Sequence, residues 1–278
     1  MTSRPFRFGV SLLQVGSRES WRSRVRRAED LGYDVLQVPD HLGTAAPFPA
    51  LVAAAEASSL RVGTYVLNTG VLSPAYLARD VADVQRLTDG RLELGLGTGY
   101  VPGEFEAVGK PFGTGGERLR KLEKTLPELR ALLAAEPDLP APPIMLSGAG
   151  DRMLRFGGRE ADIFSFSIFA GLTPGVPPEE AFARRVEVLT DAAGDRDVEL
   201  NLFVAAVGGS PDQVDLSIIQ QASGLDDDQL LRLPGVLVGA PAEIADRLRR
   251  YRDQYGVSYV SVLEPHLAAF AEVIALLR

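Results

Sequence analysis

Leu92-Glu93-Leu94-Gly95-Leu96-Gly97-Thr98-Gly99-Tyr100, preceded by the turn Thr88-Asp89-Gly90-Arg91, reads as a strand running into a glycine-rich mouth. Leu92, Leu94 and Leu96 alternate as a strand face requires, and the later glycines remove side chains where a flat or charged ligand could approach the backbone. The same unit, a short apolar strand ending in polar or glycine residues, recurs along the chain. It appears at Phe6–Leu12, Val35–His41, Leu60–Leu67, Ile144–Gly150, Asp162–Ile168, Val198–Val207 and Tyr259–Leu263. Between these runs lie helical patterns. From about Ser20 to Leu31 the apolar residues Trp21, Val25, Ala28 and Leu31 share one face, and Gly32 closes the helix. Small residues form a helix around Phe48–Ser58, and Pro74 opens another that runs to Leu87, at the position where a missing N–H costs least.

Strands that alternate with helices predict a parallel sheet with right-handed crossovers. Eight such strands in 278 residues predict a single α/β domain over residues 1–278, a (β/α)8 TIM barrel. An open doubly wound sheet, the runner-up, seldom needs eight parallel strands. Two long connections interrupt the rhythm as insertions after strands four and seven. Val101–Gly116, rich in Pro and Gly, reads as a mobile loop, and Gly208–Gly239 carries Asp226-Asp227-Asp228, read as a solvated turn.

Composition removes several classes of function. The chain has no cysteine, which excludes disulfides and thiolate metal sites, and its two histidines, His41 and His266, argue against a histidine-built metal centre. No metal site is expected. A net charge of −8 argues against a general nucleic-acid surface. Met1–Arg7 lacks the apolar core of a signal peptide and no run is long enough to span a bilayer, so the expectation is a soluble, cytoplasmic protein with no membrane partner.

In a barrel, chemistry sits at the carboxyl ends of the strands. Strand two delivers Asp40 and His41, a carboxylate and an imidazole side by side, which suits proton transfer near neutral pH; the plainer reading is an Asp that caps a turn and a His that binds backbone. Strand three delivers Asn68 and Thr69, strand four Gly97, Thr98 and Gly99, and strand six Ser165 and Ser167. Gly148-Ala149-Gly150-Asp151 stands between strand five and a helix, where bare amides and the helix dipole favour a phosphate. Asp151 as N-cap would compete for those amides, and a tight turn that needs glycine is the plainer account. Neither glycine run is a dinucleotide fingerprint, because Tyr100 and Met153 hold the third glycine positions. Glu264 reads either as a site member or as a cap of the last helix.

Seven blocks succeed one another in order: Phe8-Gly9-Val10; Arg27–Asp34; Val38-Pro39-Asp40-His41; Leu60–Thr64; Pro74–Ala78; Asp89–Gly99; and Gly148–Leu154. Together they resemble the luciferase-like monooxygenase superfamily, in its branch of coenzyme F420-dependent oxidoreductases. The resemblance implies a barrel that binds a flavin or deazaflavin at the strand carboxyl ends. The ring would lean on a bulge at Val66, Leu67 and Asn68, often with a non-proline cis peptide, and the phosphate would sit on Gly148, Ala149 and Gly150. It implies proton handling by Asp40 and His41, and a homodimer. Two departures stand out. Relatives commonly carry Arg-His-Pro-Ala where this chain has Leu72-Ser73-Pro74-Ala75, and Trp where it has Tyr100.

Three functions are expected in turn. The first is hydride transfer between F420 and a small organic substrate, with His41 and Asp40 moving the accompanying proton and Val101–Gly116 closing over the substrate. The second is an FMN-dependent monooxygenase. The third, suggested by the missing Arg-His pair, is a redox-inactive barrel that binds a ligand or catalyses without a cofactor. Substrate choice is assigned to Val101–Gly116 and Gly208–Leu233.

Overall fold

The computed structural model describes residues 4–217, 220 and 225–278. Residues 218, 219 and 221–224 of the expected Gly208–Gly239 connection, and 1–3 of the amino-terminal stretch, lie outside the described residues. In chain order the elements are β1 (Arg7–Ser11), α1 (Arg18–Asp30), β2 (Val35–Val38), α2 (Pro47–Ala55), β3 (Arg61–Thr64), β4 (Leu67–Asn68), α3 (Pro74–Leu87), β5 (Leu92–Gly97), α4 (Pro102–Ala107) and α5 (Gly115–Ala134). They continue with β6 (Ile144–Gly148), α6 (Asp151–Glu160), β7 (Ile163–Phe166), α7 (Pro178–Ala193), β8 (Glu199–Val204), β9 (Ala206–Gly208), α8 (Asp227–Leu231), β10 (Val236–Val238), α9 (Pro241–Tyr255), β11 (Val257–Leu263) and α10 (Leu267–Leu277).

The strands pair in the order β3-β2-β1-β11-β8-β7-β6-β5-β4, and β3 pairs in addition with β5. Parallel strands, each followed by a helix and returning to their starting neighbour, are the connectivity of a (β/α)8 barrel, as the strand–helix rhythm predicts.

By contacts the chain divides into two compact units. One comprises Leu12–Glu29 and Val35–Leu146. Here β2, β3 and β5 pair in parallel, with Leu36 beside Val62 and Val62 beside Leu92. The third barrel strand is not continuous. The ladder stops at Thr64, the Tyr65–Val66 peptide bond is cis, and pairing resumes at Leu67 and Asn68 against Leu96 and Gly97. At the break the Thr64 hydroxyl stands in for the ladder: it donates to the Gly95 carbonyl at 2.8 Å and accepts from the Gly95 N–H at 2.8 Å. Leu122, Leu126, Leu129 and Leu133 form the buried face of α5.

The other unit contains the described residues up to Ser11, Asp30–Asp34 and Ser147–Arg278. β11 pairs with β1 on one side and β8 on the other, and β7 pairs with β8. Inside, Ser165 donates to Asn201 at 2.8 Å and Asn201 to Ser261 at 2.8 Å, so Ser165 is a buried structural group rather than an open strand-end residue. The expected strand Val198–Val207 ends at Val204. Ala205 N–H then turns to the Gly235 carbonyl at 2.8 Å, and Ala206–Gly208 pairs with Val236–Val238 in a separate two-stranded sheet.

Candidate active site

Four chain segments of the first unit meet around the pair Asp40 and His41. β2 ends at Val38, and the next residue, Pro39, has no N–H to continue a ladder, so Asp40 and His41 both lie beyond the strand. Their side chains part company. Asp40 Oδ2 accepts from the Asn68 backbone N–H at 2.9 Å, which ties the exit of β2 to the end of β4. His41 Nδ1 meets Glu104 Oε1 at 2.8 Å, and the same oxygen accepts from Leu42 N–H at 3.2 Å. Thr44 fixes the turn beneath, its hydroxyl donating to the His41 carbonyl at 2.7 Å.

Glu104 comes from α4, inside the segment expected to be a loop. Pro102 opens the helix, Glu104 occupies its first turn, and Phe105, 2% exposed, seats it against Phe112 and the Cα of Gly70. The remainder of the segment is pinned too. Lys110 donates to the Val71 carbonyl at 2.7 Å, Lys121 to the Gly70 carbonyl at 2.5 Å, and Arg118 to the Gly99 carbonyl at 3.0 Å while lying over the Phe112 ring. Helix α5 starts at Gly115 with a capping box between Thr114 and Glu117.

A carboxylate only accepts, so the Nδ1 that faces Glu104 carries a proton, and in the neutral imidazole Nε2 is then an acceptor. The Tyr100 hydroxyl stands 3.2 Å from that Nε2, with the two rings edge to face. Desolvation around the hydroxyl, and secondly the charge of Glu104, hold the Tyr100 phenol above its ordinary pKa. Burial also raises the Asp40 carboxyl, with Glu104 adding to the effect; the Asn68 N–H and His41 pull the other way.

Asn68, 5% exposed, uses Oδ1 to accept from Gly70 N–H at 3.0 Å, whereas its Nδ2 is buried without a partner. An orphaned amide donor costs about 1–3 kcal/mol, so its aim is a functional signal. Gly99, at φ 69°, has no room for a Cβ beside this amide. A Cβ on Gly97 would lie 2.6 Å from Val66, and one on Gly95 would collide with the Thr64 carbonyl. The glycine run therefore makes space for the broken third strand. Gly97 is buried, with its carbonyl accepting from both Thr69 N–H and hydroxyl, while Thr98 and Gly99 are half-buried.

The second unit carries the phosphate candidates. Gly150, not Asp151, is the N-cap of α6, and no side chain takes the first-turn amides, so the expected competition from Asp151 does not occur. Beside Gly150 the space for a Cβ is open. Arg185 of α7 fixes this turn, its Nε donating to the Ala149 carbonyl at 3.0 Å and its other nitrogens to Thr173 Oγ1, Leu172 O and Ala181 O. Glu264 opens a short 3₁₀ turn, and the N-cap of α10 is His266. Both nitrogens of that imidazole face backbone, Nε2 at 3.0 Å from the Ala205 carbonyl, and burial lowers its pKa.

The sequence reading missed Glu104 and Arg185. Glu104 left a local signal, Pro-Gly-Glu-Phe, that fits a helix start; Arg185 left none, because three of its four acceptors, on Ala149, Leu172 and Thr173, lie outside its own helix. Among the described residues no helix is long and apolar enough to cross a membrane, and no cluster of three or more acidic or histidine side chains could hold a metal.

Comparison with known proteins adds to this geometry. The chain is 31% identical over 247 residues to a phthiodiolone/phenolphthiodiolone dimycocerosates ketoreductase of Mycobacterium sp. (strain JLS), a match covering 75% of this chain and 62% of that protein. It is 27% identical to an F420-dependent glucose-6-phosphate dehydrogenase of Intrasporangium calvum, over 92% of this chain and 91% of the relative. In structure it is similar to an F420-dependent secondary alcohol dehydrogenase solved with an F420-acetone adduct, with a TM-score of 0.75 and 17% identity, covering 99% of this chain and 100% of that one. The family described as luciferase-like monooxygenase matches residues 3–207, and the chain belongs to that family.

Proposed function

We propose that the chain is an F420-dependent oxidoreductase that moves a hydride between the deazaflavin and the carbon of a small alcohol or carbonyl substrate. The observation that carries this reading is His41, oriented by Glu104 with Nε2 on the Tyr100 hydroxyl, while the adjacent Asp40 holds the backbone of Asn68, whose side-chain Nδ2 has no partner. Relatives named as a ketoreductase and as an F420-dependent glucose-6-phosphate dehydrogenase support it.

Each unit, taken by itself, offers residues whose chemistry fits part of such a cofactor. Asn68 offers a buried donor for a polar ring edge, with Val66, Leu67, Thr98 and Gly99 as the surrounding contact surface and Gly97 supporting it. Gly148, Ala149, Gly150 and Asp151 offer uncapped helix-terminal amides for a phosphate. When bound, the deazaflavin supplies a carbon that takes or gives hydride. The protein handles the proton: His41 accepts it as an alcohol is oxidised, Glu104 stabilises the imidazolium that results, and Asp40 holds the Asn68 backbone in place. A homodimer in the cytoplasm belongs to the same reading, with light scattering as the check on its size.

Parallel fluorescence titrations with F420 and FMN, on wild type and His41→Ala, test the proposal. F420 binds both proteins, and His41→Ala loses turnover by about 10²-fold or more. Retention of FMN with no affinity for F420 would establish the monooxygenase alternative instead. Binding of neither cofactor would bring forward the redox-inactive barrel.

A further inference from the structure

Exposure rises in steps along one hydrogen-bonded line: the side chain of Glu104 is 11% exposed, that of His41 31%, and the residue Tyr100 69%. Both imidazole nitrogens are engaged within this line, Nδ1 with Glu104 at 2.8 Å and Nε2 with the Tyr100 hydroxyl at 3.2 Å. A substrate oxygen that needs a proton therefore meets the phenol before it meets the imidazole. We infer that Tyr100 is a catalytic residue, the group that exchanges a proton directly with the substrate oxygen, and that His41 acts behind it as the proton store. This rests on the hydride-transfer reading above and adds to it the outermost member of the proton path.

The step balances. As the alcohol is oxidised, its O–H proton passes to Tyr100 Oη while the phenolic proton passes to His41 Nε2, so the tyrosine ends as it began. The imidazolium that forms keeps its Nδ1–H on the Glu104 carboxylate. The C–H hydrogen leaves with its electron pair to an oxidised deazaflavin, and the carbonyl product remains. Reduction runs the same path backwards. His41, at hydrogen-bond distance, and the charge of Glu104 from α4 act on the phenol directly; Asp40 at the exit of β2 interacts with both of them, and Arg118 from α5 is held on the neighbouring Gly99 carbonyl. With desolvation and Glu104 holding its ionisation above the ordinary range, the phenol stays protonated at neutral pH, as a donor must.

Tyr100→Phe is the test, because it keeps the exposed ring and removes only the hydroxyl. Two readouts are needed. In the cofactor-free protein the ring nitrogens of ¹⁵N-labelled histidine are observed by NMR, a simple spectrum because His41 and His266 are the only two. The Nε2 resonance of His41 moves on substitution and Nδ1–H stays, as expected if Nε2 accepts from the phenol. In the loaded enzyme, with F420 and either propan-2-ol or glucose 6-phosphate as the probe alcohol, kcat falls by about 10²-fold with KM nearly unchanged. The solvent deuterium isotope effect on kcat also rises. An unmoved Nε2 resonance overturns the inference whatever the kinetics, and so does wild-type kcat in the variant. A wild type that binds F420 but oxidises neither alcohol overturns it together with the alcohol reading and leaves cofactor binding standing; a wild type that does not bind F420 removes the function itself.

Discussion

Two glycine-rich strand exits look alike in the sequence and behave differently in the fold. At the end of β5 and just beyond it, the spaces at Gly95, Gly97 and Gly99 are filled by the protein's own Thr64, Val66 and Asn68. After β6, Gly150 faces open space and hands its turn directly to the amino terminus of α6, with the first-turn amides uncapped. Glycine spacing therefore does not distinguish a ligand cradle from a packing device. Position decides: glycines inside or just past a strand have their space filled by neighbouring groups, Gly148 by Met153 among them, whereas a glycine that is itself the N-cap of a helix leaves donors bare.

The strongest test of the contrast is Gly95→Ala. Its methyl group meets the carbonyl of Thr64, a backbone atom in a fully buried ladder, and nothing flexible stands in the way to yield. Overpacking typically costs about 1–3 kcal/mol, and a backbone clash belongs at or above the top of that range. Loss of about 3 kcal/mol or more in urea unfolding, or failure to fold, is the expected outcome. A variant within about 1 kcal/mol of wild type would mean that the glycine run is not needed for the third strand's break, and the assignment of the two exits would have to be reconsidered.

Next in size is an effect on chemistry. Glu104→Gln keeps an oxygen that accepts from His41 Nδ1 and Leu42 N–H, so the geometry survives while the charge that stabilises an imidazolium is gone. General acid–base contributions of about 10²–10⁴-fold set the scale, and kcat falls by about 10²-fold with thermal stability little changed. Equal kcat in the variant would reduce Glu104 to an anchor for α4.

A pH dependence arises from Asp40. Burial raises its folded pKa above the unfolded value, so between the two the unfolded chain has released a proton that the folded chain still holds. Stability therefore falls as pH rises from the ordinary aspartate range through the raised pKa, and the loss is complete above it. Asp40→Asn does not titrate and its amide oxygen can still accept from Asn68 N–H. The melting temperature of Asp40→Asn relative to wild type should rise as pH climbs from the ordinary aspartate range through the raised pKa, by on the order of 2–4 °C for each 1 kcal/mol relieved. A difference that shrinks over this interval would contradict the burial argument.

How far the sequence reaches differs between these same regions. The barrel was legible because strand–helix alternation repeats a local pattern, and α3 begins and ends where Pro74 and Leu87 place it. The break in the third strand was not legible from the residues, since Leu60–Leu67 is apolar enough to read as one strand; only the family resemblance pointed to a cis bond near Val66. Val101–Gly116 reads as a loop in the sequence because its Pro and Gly outweigh two helix-start signals, Pro102 with Glu104 and Thr114 with Glu117, where the fold has α4 and the start of α5. Asp226 was likewise read as a solvated turn but caps α8, with Gln229 closing the box. The pairing of His41 with Glu104 spans 63 positions and leaves no local trace. Asp40, His41 and Asn68 were found because strand ends are where a barrel exposes side chains. Their partners had to come from tertiary structure.

The smallest expected effects lie at the second exit. A methyl at Gly150 meets no atom within 4 Å, and its backbone, at φ −80° and ψ 144°, suits any residue. Gly150→Ala therefore costs under about 1 kcal/mol, the loss coming from a poorer N-cap residue. Removing charge is the subtler probe. Asp151 stands in the first helical turn, where its carboxylate repels an incoming anion without capping any amide. Asp151→Asn should tighten the binding of inorganic phosphate, measured by calorimetry, by about 2–5-fold, since a single charge near a helix terminus is worth roughly 0.3–1 kcal/mol. Unchanged or weaker phosphate binding in Asp151→Asn would mean that these amides face no anion, and the two glycine exits would then share one purpose, that of chain packing.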